Sequence, residues 1–438
     1  MLNIRYFLFG VTFLFSTASF AQQLSHLSLM DAIAEGLENN YSILLAGKSA
    51  EISSNNATRG NAGMLPSVNL NATVNRGLAN SYTRFSDGRE EDRSGIGTTN
   101  WNSNVALDWT VFDGFAMFAN YERLLELELI GQENLRAAIQ QTVASIMNVY
   151  FDIVSRQYEL DAMSRILQIS RLRMRSANDR IEAGRGSRAD ILSAQVDFNA
   201  DTASYIRQTE SLRQSKIQLN RILAREITTD FWASDPIIID QTLLYSDIND
   251  AALAENPNVI LSRMSVNAAT FSLKATEGSQ YPRVRLTSNY TFAGSQSATA
   301  NIEHSRSGTF NFGATLSMPL FHGFNITRQI TNARLEMESA ELRYEQVQKE
   351  IEAQVATAYS TYYVNRNLAN FEAQNIGLAA ENLEISMDRY SLGAISAVEL
   401  RDVQRSFISA TNRHITATYN AKIAETALKL LTGNVMTH

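Results

Sequence analysis

The chain repeats itself. Asn40 falls opposite Asn256, and the run Leu65-Pro66-Ser67-Val68-Asn69-Leu70 opposite Tyr281-Pro282-Arg283-Val284-Arg285-Leu286, at a spacing of 216. Phe112-Asp113-Gly114-Phe115 then matches Phe321-His322-Gly323-Phe324, Tyr150 matches Tyr359, Gly184 matches Gly393 and Leu219 matches Leu428, all at 209. A duplicated chain folds as two copies of one supersecondary unit, and this restricts the architecture more than any single motif. The seven-position change lies between Pro66 and Phe112, where an exposed loop absorbs it. The constant register from Phe112 to Leu219 implies rigid, paired elements.

Residues 1–21 carry one positive charge, Arg5, an apolar run from Tyr6 to Phe15, and then small residues, with Ser19 and Ala21 three and one before Gln22. This is the pattern of a secretory signal with an Ala-Gln cleavage junction. Its apolar run is well short of the ~20 residues a helical span needs. Loss of Arg5 takes the formal charge from -7 to -8. A mildly acidic chain argues against a nucleic-acid partner, because phosphate binding is driven by basic patches. With no cysteine, thiol catalysis, cysteine-ligated metals, disulfides and an N-terminal lipidated cysteine are all excluded. No apolar stretch after residue 21 approaches helix-spanning length, so the mature chain either is soluble or meets a membrane through strands.

All five prolines lie outside two windows of about seventy residues, 115–183 and 324–392, each of which ends at a glycine, Gly184 or Gly393. A proline inside a helix costs ~3 kcal/mol, so proline-free windows of this length suit continuous helix. At ~1.5 Å per residue each runs roughly 100 Å. Ile139, Val143, Ile146, Tyr150, Ile153, Leu160 and Leu167 step alternately by four and three, with Gln157 the polar interruption. Tyr344, Val347, Ile351, Val355, Ala358 and Tyr362 keep a similar stripe. This is the seam of a coiled coil. Glycine, a short polar turn and then Ser or Asp near the next start is the punctuation of a helical hairpin. Returning helices are therefore expected over about 188–224 and 396–431.

Between the helices the period falls to two. Phe310, Phe312, Ala314, Leu316, Met318 and Leu320 alternate with polar or small residues, as do Trp101, Ser103, Val105, Leu107, Trp109 and Val111, the run Val68 to Val74 and the run Val284 to Phe292. Strands are expected over about 67–77, 101–112, 283–293 and 309–321, with 78–100 and 293–308 as polar loop tips. One apolar and one polar face suits a lipid-exposed barrel wall around an aqueous lumen. Trp101, Trp109, Phe112, Phe115, Phe310, Phe312 and Phe321 are candidates for its interfacial aromatic girdles. Open edges do not persist in hydrocarbon, because each unpaired backbone group costs several kcal/mol. Four strands per chain must then be completed by other chains, and an eight-strand minimum permits a dimer or a trimer.

The fold class expected is α+β, membrane-inserted through strands, with two tandem repeats that each join a β-hairpin to a long helical hairpin. The repeats occupy 22–224 and 256–433, with an inter-repeat segment at 225–255 and a tail at 434–438. No enzyme, cofactor or metal site is expected. His26, His304, His322, His414 and His438 are scattered, with no His-x-x-x-His pair, and carboxylates on helices are more often solvated faces. An exported structural or adhesive coiled coil remains the second functional class, distinguished by the absence of lipid-facing strands. A substrate-specific porin has no use for hundred-ångström rods.

The signal segment, the duplicated strand-hairpin and helix-hairpin order, the Leu-Pro and Tyr-Pro strand starts, Phe-Asp-Gly and Phe-His-Gly before the long helices, and Arg-Tyr-Ser-Leu-Gly at 389–393 together resemble the TolC family, the outer-membrane efflux proteins of Gram-negative bacteria. The resemblance covers essentially the whole mature chain. It implies a homotrimer whose twelve-stranded outer-membrane barrel continues into a helical tunnel through the periplasm, with a mixed equatorial domain. It also implies an exit duct for type I secretion or tripartite efflux, with a periplasmic adaptor and an inner-membrane ABC or proton-driven transporter as partners. The helical turns become the closed entrance. Asp190, Glu399, Asp402 and Tyr390 match the family pattern there. The arginine usual two residues after the second glycine is here Ile395, and Arg185 or Arg188 is the candidate substitute. The three acids are also ordinary helix-start carboxylates, favoured by the dipole by ~0.3 to 1 kcal/mol. Repeated around an axis they form a cation-selective ring with coupled protonation.

Overall fold

The computed structural model describes residues 25–184, 186–297 and 303–435. The expected signal segment and residues 436–438 of the expected tail lie outside the described residues. In chain order the elements are β1 (Ser25–Leu27), α1 (Leu29–Asn39), α2 (Tyr41–Asn56), β2 (Ser67–Arg84), β3 (Glu90–Phe112), α3 (Ala116–Glu182), α4 (Arg188–Ile222), β4 (Phe231–Ala233), α5 (Tyr245–Glu255), α6 (Pro257–Glu277), β5 (Arg283–Ser297), β6 (His304–Ser317), α7 (Asn325–Ser391) and α8 (Ala397–Leu431). Helices α3 and α7 have 67 residues each, and α4 and α8 have 35 each. None of the described helices is long and apolar enough to cross a membrane.

The matched residues recur because each solves the same local problem twice. Asn40 ends α1, its N–H donating to the Gly36 carbonyl at 3.0 Å, and starts α2, its side-chain oxygen accepting from the Ser42 N–H at 2.8 Å. Its side-chain nitrogen then reaches the Ile222 carbonyl near the end of α4, at 2.7 Å. Asn256 does the same between α5 and α6, bonding the Ala252 carbonyl, the Asn258 N–H and the Leu431 carbonyl at the end of α8. One asparagine thus satisfies orphan groups at three helix ends.

The Phe-x-Gly-Phe turns pass from strand to long helix through two consecutive left-handed residues, Gly114 and Phe115 in one half, Gly323 and Phe324 in the other. A phenylalanine in this conformation is strained. The strain is offset by an edge-to-face ring pair, Phe112 with Phe115 at 5.1 Å and Phe321 with Phe324 at 5.5 Å. Gly114 has a second reason to lack a side chain, since a Cβ there falls 2.2 Å from the Gly278 carbonyl oxygen.

The main sheet is antiparallel in the order β2-β3-β5-β6, and a small parallel pair joins β1 to β4. The strands outrun their expected limits. Residues 78–84 and 90–100 are paired strand rather than loop, and the tip of this hairpin is only 85–89. This outer ribbon is wet on both faces, so pairing there requires no apolar alternation. It is held by cross-strand bonding, by Arg84 with Glu90 at 3.4 Å, and by the Arg89 guanidinium over the Phe85 ring. Strand β5 likewise runs on to Ser297 and β6 begins at His304, so of the expected 293–308 loop only 298–302 lies outside the described residues. At its other end β6 stops at Ser317, so Phe321 belongs to the turn before α7 rather than to a strand. Pro319 just beyond has no N–H to give a ladder.

The core lies at mid-length of the long helices. Val143, Ile146, Tyr150 and Ile153 of α3 are fully buried against Leu27, Leu219, Leu223 and Phe231. Ile351, Val355 and Tyr362 of α7 pack with Ile248, Val259 and Leu428. The segment between the halves crosses this belt. The Tyr150 hydroxyl donates to the Leu27 carbonyl at 2.9 Å and accepts from the Ser234 and Asp235 N–H groups. The repeat partner of Tyr150, Tyr359, is only partly buried. Tyr362, one turn further on, takes the buried role and bonds the Asp240 carbonyl. Gln157, the polar break in the first stripe, is buried with its amide facing the backbone of Ala233.

Candidate functional site

Two regions are the candidates for functional chemistry, the sheet face and the helical tips. Directly paired residues share a face, and the register sorts the sheet into rows. One face stacks Trp109 with Leu286 and Ala314, Val68 with Leu107, Ser288 and Phe312, Leu70 with Val105, Tyr290 and Phe310, and Val74 with Trp101, Gly294 and Arg306. The other stacks Asn69 with Ala106, Asn289 and Asn311, then Asn71 with Asn104, Thr291 and Thr309. Its ionic contact is Arg285 with Asp108 at 3.5 Å.

The apolar face is bare in the single chain, with Leu70 at 70% and Phe312 at 82% exposure. Its ends are marked by tryptophan. Trp101 and Trp109 are eight residues apart, roughly 27 Å along a strand, against an apolar band about 25 Å tall in membrane barrels. Beyond Trp101 the next row carries Arg76 and His304. Trp101 lies over Gly294, where a Cβ would meet its ring at 2.4 Å, and against Phe292. The Trp109 indole N–H donates to the Met64 carbonyl at 3.0 Å. Phe112 sits at the inner end with Val284 and Leu316. Phe310 and Phe312, expected among the edge aromatics, instead fall between the tryptophan rows, because pairing sets them opposite Tyr290 and Ser288 in mid-band.

At the far end, the two helical turns lie side by side. In the first, Ser187 and Asp190 form a complete capping box. The Ser187 hydroxyl oxygen accepts from the Asp190 N–H at 3.2 Å, and the Asp190 carboxylate accepts from the Ser187 N–H at 3.0 Å and the hydroxyl at 2.9 Å. The Ser187 backbone N–H, then its hydroxyl, hold the Asp190 carboxyl below the usual range, helped by the charge of Arg180. In the second turn Ser396 accepts from the Glu399 N–H at 3.2 Å, and the Glu399 side chain points to solvent. Asp402 is exposed with Arg405 at 3.8 Å.

Tyr390 is buried among Ile166, Leu383, Ile395 and Leu400. The arginine that reaches it is Arg180, whose guanidinium lies 4.5 Å over the ring and donates to the Tyr390 carbonyl at 2.8 Å. Arg188 is exposed at the start of α4, and Arg185 lies outside the described residues. Ile395 turns inward, where an arginine would need a partner.

Behind the tips is a cluster that sequence reasoning did not single out. Arg401 of α8 bonds both oxygens of Asp201 on α4, at 2.8 and 2.9 Å, and its Nε is 3.7 Å from Asp197. Arg173 of α3 bonds Asp197, and the Ser170 hydroxyl bonds Asp201. Asp201 foremost, then Asp197, holds the Arg401 guanidinium above its ordinary range against its burial. A cavity of about 380 Å³ opens between this cluster, Arg180, Asp190 and Tyr390. The local signal is weak, since Asp197 and Asp201 one turn apart read as a solvated face and their partner lies 200 residues away.

Comparison with known proteins agrees with this layout. A family model described as outer membrane efflux protein matches residues 32–225 and 248–434. The outer membrane efflux protein BepC of Brucella suis is 20% identical over 93% of this chain and 86% of its own length. The alkaline protease secretion protein AprF of Pseudomonas aeruginosa is 23% identical over 93% and 84%. The crystal structure of the Campylobacter jejuni CmeC outer membrane channel superposes with a TM-score of 0.79 at 14% identity, covering 100% of this chain and 95% of that one. With an apolar sheet face framed by tryptophans, paired helical turns at the far end, and a family model spanning both halves, the chain belongs to the outer membrane efflux protein family.

Proposed function

We propose that three copies of this chain close into one passive conduit, a twelve-stranded outer-membrane barrel continuous with a helical barrel in the periplasm. The observation that carries this reading is that every layer of the chain has two unsatisfied edges, on matching sides. Strands β2 and β6 are open edges of the sheet. At the level of the tips the helices neighbour one another in the order α4, α3, α8, α7, and above the belt in the order α2, α3, α6, α7. The first-half edge exposes Leu45 and Ile52 of α2 and Leu192, Val196 and Ile206 of α4. The second-half edge exposes Val364, Phe371, Leu378 and Ile385 of α7 and its capping residue Leu392 at steps of seven, the period of a coiled-coil seam. Such an interface is head-to-tail, and a head-to-tail contact that closes makes a ring. Two copies reach the eight-strand minimum, and the TolC resemblance favours three. The matching halves fit one tandem-duplicated unit.

The duct serves either type I secretion or tripartite efflux, taking substrate from an inner-membrane transporter through a periplasmic adaptor. The names of AprF and BepC support both branches. At its entrance Asp190, Glu399 and Asp402, repeated around the axis, form a cation-selective ring beside Tyr390, with Arg188 at the first turn. Opening needs no chemistry in this chain, because partner binding biases a two-state equilibrium. Native mass spectrometry of the detergent-solubilised protein is expected to give three copies. A processed chain that is monomeric and soluble without detergent overturns the reading and favours the exported coiled coil. In planar bilayers, Glu399→Gln with Asp402→Asn is expected to weaken cation selectivity and block by polyvalent cations, and unchanged selectivity rejects the ring.

A further inference from the structure

We propose that Trp101, Tyr290 and Arg306 form a site on the apolar face of the sheet for the phosphorylated sugar headgroup of an outer-leaflet glycolipid. The inference rests on the conduit reading above, in which this face meets hydrocarbon and the hairpin tips face the exterior, and it names the lipid taken at the outer border.

Cross-strand pairing gathers the three side chains. Trp101 pairs with Gly294 and Gly294 with Arg306, while Tyr290 stands on the same face of β5. The Trp101 ring is laid over Gly294, its Nε1 2.7 Å from where a Cβ would stand. The Tyr290 hydroxyl is laid over Gly308 in the same way, at 2.9 Å. Gly294 and Gly308 are diagonal neighbours, so the two polar tips stand over positions about 7–8 Å apart, with Arg306 directly opposite the first. A phosphorylated sugar spans that gap.

The three donors are unspent. Among the described residues neither the Trp101 indole N–H, the Tyr290 hydroxyl nor the Arg306 guanidinium has an acceptor. The next row outward adds Arg76, also without a partner there, and His304, whose Nε2 is 3.7 Å from Glu303. No carboxylate stands on this face in the rows of Ser103, Trp101 and Thr99. Arg306 lies on the open edge strand β6, and the strand that a neighbouring copy would bring beside it, β2, contains no acid between Ser67 and Arg84. Ring closure therefore leaves the guanidinium free for a phosphate, the anion its planar fork fits best alongside carboxylate.

The inner border of the apolar band is finished differently. There the Trp109 indole N–H is spent on the Met64 carbonyl, and Arg285 lies on the opposite face with Asp108. Snorkelling explains a single arginine at a membrane border. It does not explain two aromatic donors held over two glycines, since glycine weakens a strand interior and marks the close approach of a ligand or another backbone. The asymmetry matches that of a Gram-negative outer membrane, whose outer leaflet carries the phosphorylated glycolipid.

The test titrates the full mature protein, delipidated in detergent, with diphosphoryl lipid A and reads the bound fraction by native mass spectrometry. Diphosphoryl lipid A is expected to bind more tightly than phosphatidylglycerol. Arg306→Gln is expected to weaken its binding at least about tenfold, and Tyr290→Phe, which removes one hydroxyl, about threefold. Arg283→Gln, which removes the same charge from the inner end of β5, is expected to leave binding unchanged. Full binding in Arg306→Gln overturns the proposal, as does an equal loss in Arg283→Gln or equal binding of phosphatidylglycerol. Displacement of lipid A by inorganic phosphate also overturns it, in favour of a free-anion site. Should Arg306→Gln fail to assemble, Tyr290→Phe decides, and unchanged binding there rejects the site. A parent protein that is monomeric without detergent would overturn the conduit reading and this site with it, whereas an oligomer that takes up no lipid A overturns the site alone.

Discussion

The same two helices, α3 and α8, are packed differently at the belt and towards the tips. At the belt, α3 buries Val143, Ile146, Tyr150 and Ile153 completely, and the segment between the halves is tied down by the Tyr150 hydroxyl. Towards the tips the same helix buries Ser170 and Arg173, and α8 buries Gln404. Dense apolar packing has one good arrangement and resists displacement. A polar cluster is directional and has alternatives. On the conduit reading proposed above, the belt is the part expected to stay fixed and the tips are the part expected to move.

The largest effect that separates the two ends is expected at the belt. Tyr150→Ala removes a fully buried ring and three hydrogen bonds and is expected to lower stability by about 3–5 kcal/mol, read as a loss of the calorimetric transition of the solubilised protein. An equal loss from Arg180→Ala near the tip would erase the distinction between the ends. Next come the paired turns. Gly114→Ala combines a left-handed backbone with a Cβ that collides with the Gly278 carbonyl, whereas Gly323 has open space. Gly323→Ala is expected to cost about 1–2 kcal/mol, and Gly114→Ala clearly more. Similar midpoints for the two variants would mean that the contact to Gly278 yields easily.

Smaller effects sharpen the comparison at the tips themselves. Ser187→Ala removes one half of a complete capping box and is expected to cost about 1 kcal/mol, with faster amide exchange confined to the first turn of α4. Exchange spread over the belt would contradict local fraying. The smallest effect is acidic. The Asp190 carboxyl is held below its usual range by Ser187, so its contribution is present above the unfolded value of about 3.9 and is lost as pH falls through the lower folded value. Because the group is exposed, the loss is modest. The protection of the amides at the first tip, taken relative to their intrinsic exchange rate at each pH, is expected to be constant above about pH 5 and to fall only in strong acid, and a fall near neutrality would point to another group.

Much of this architecture is local and was therefore legible. Asn40 and Asn256, the Phe-x-Gly-Phe turns, and Gly184 and Gly393 are each fixed by backbone demands within a few residues, and duplication prints every demand twice. The strand extensions 78–84 and 90–100 escaped because a ribbon wet on both faces carries no alternation. Phe310 and Phe312 carried the right chemistry at the wrong height, since height depends on cross-strand register. Tyr362 rather than Tyr359 takes the buried role, because the strap between the halves reaches α7 one turn further along than repetition alone indicates.

The sequence by itself determined that two proline-free rods alternate with two amphipathic hairpins, that each rod turns at a glycine, and that the sheet has too few strands to satisfy its own edges. These follow from periodicity, proline chemistry and hydrogen bonding, which act along the chain. Only the tertiary structure decided which charges meet. Arg401 and Asp201 are 200 residues apart and ordinary in their local contexts. Their pairing exists because two hairpins lie side by side and exclude water from the space between them.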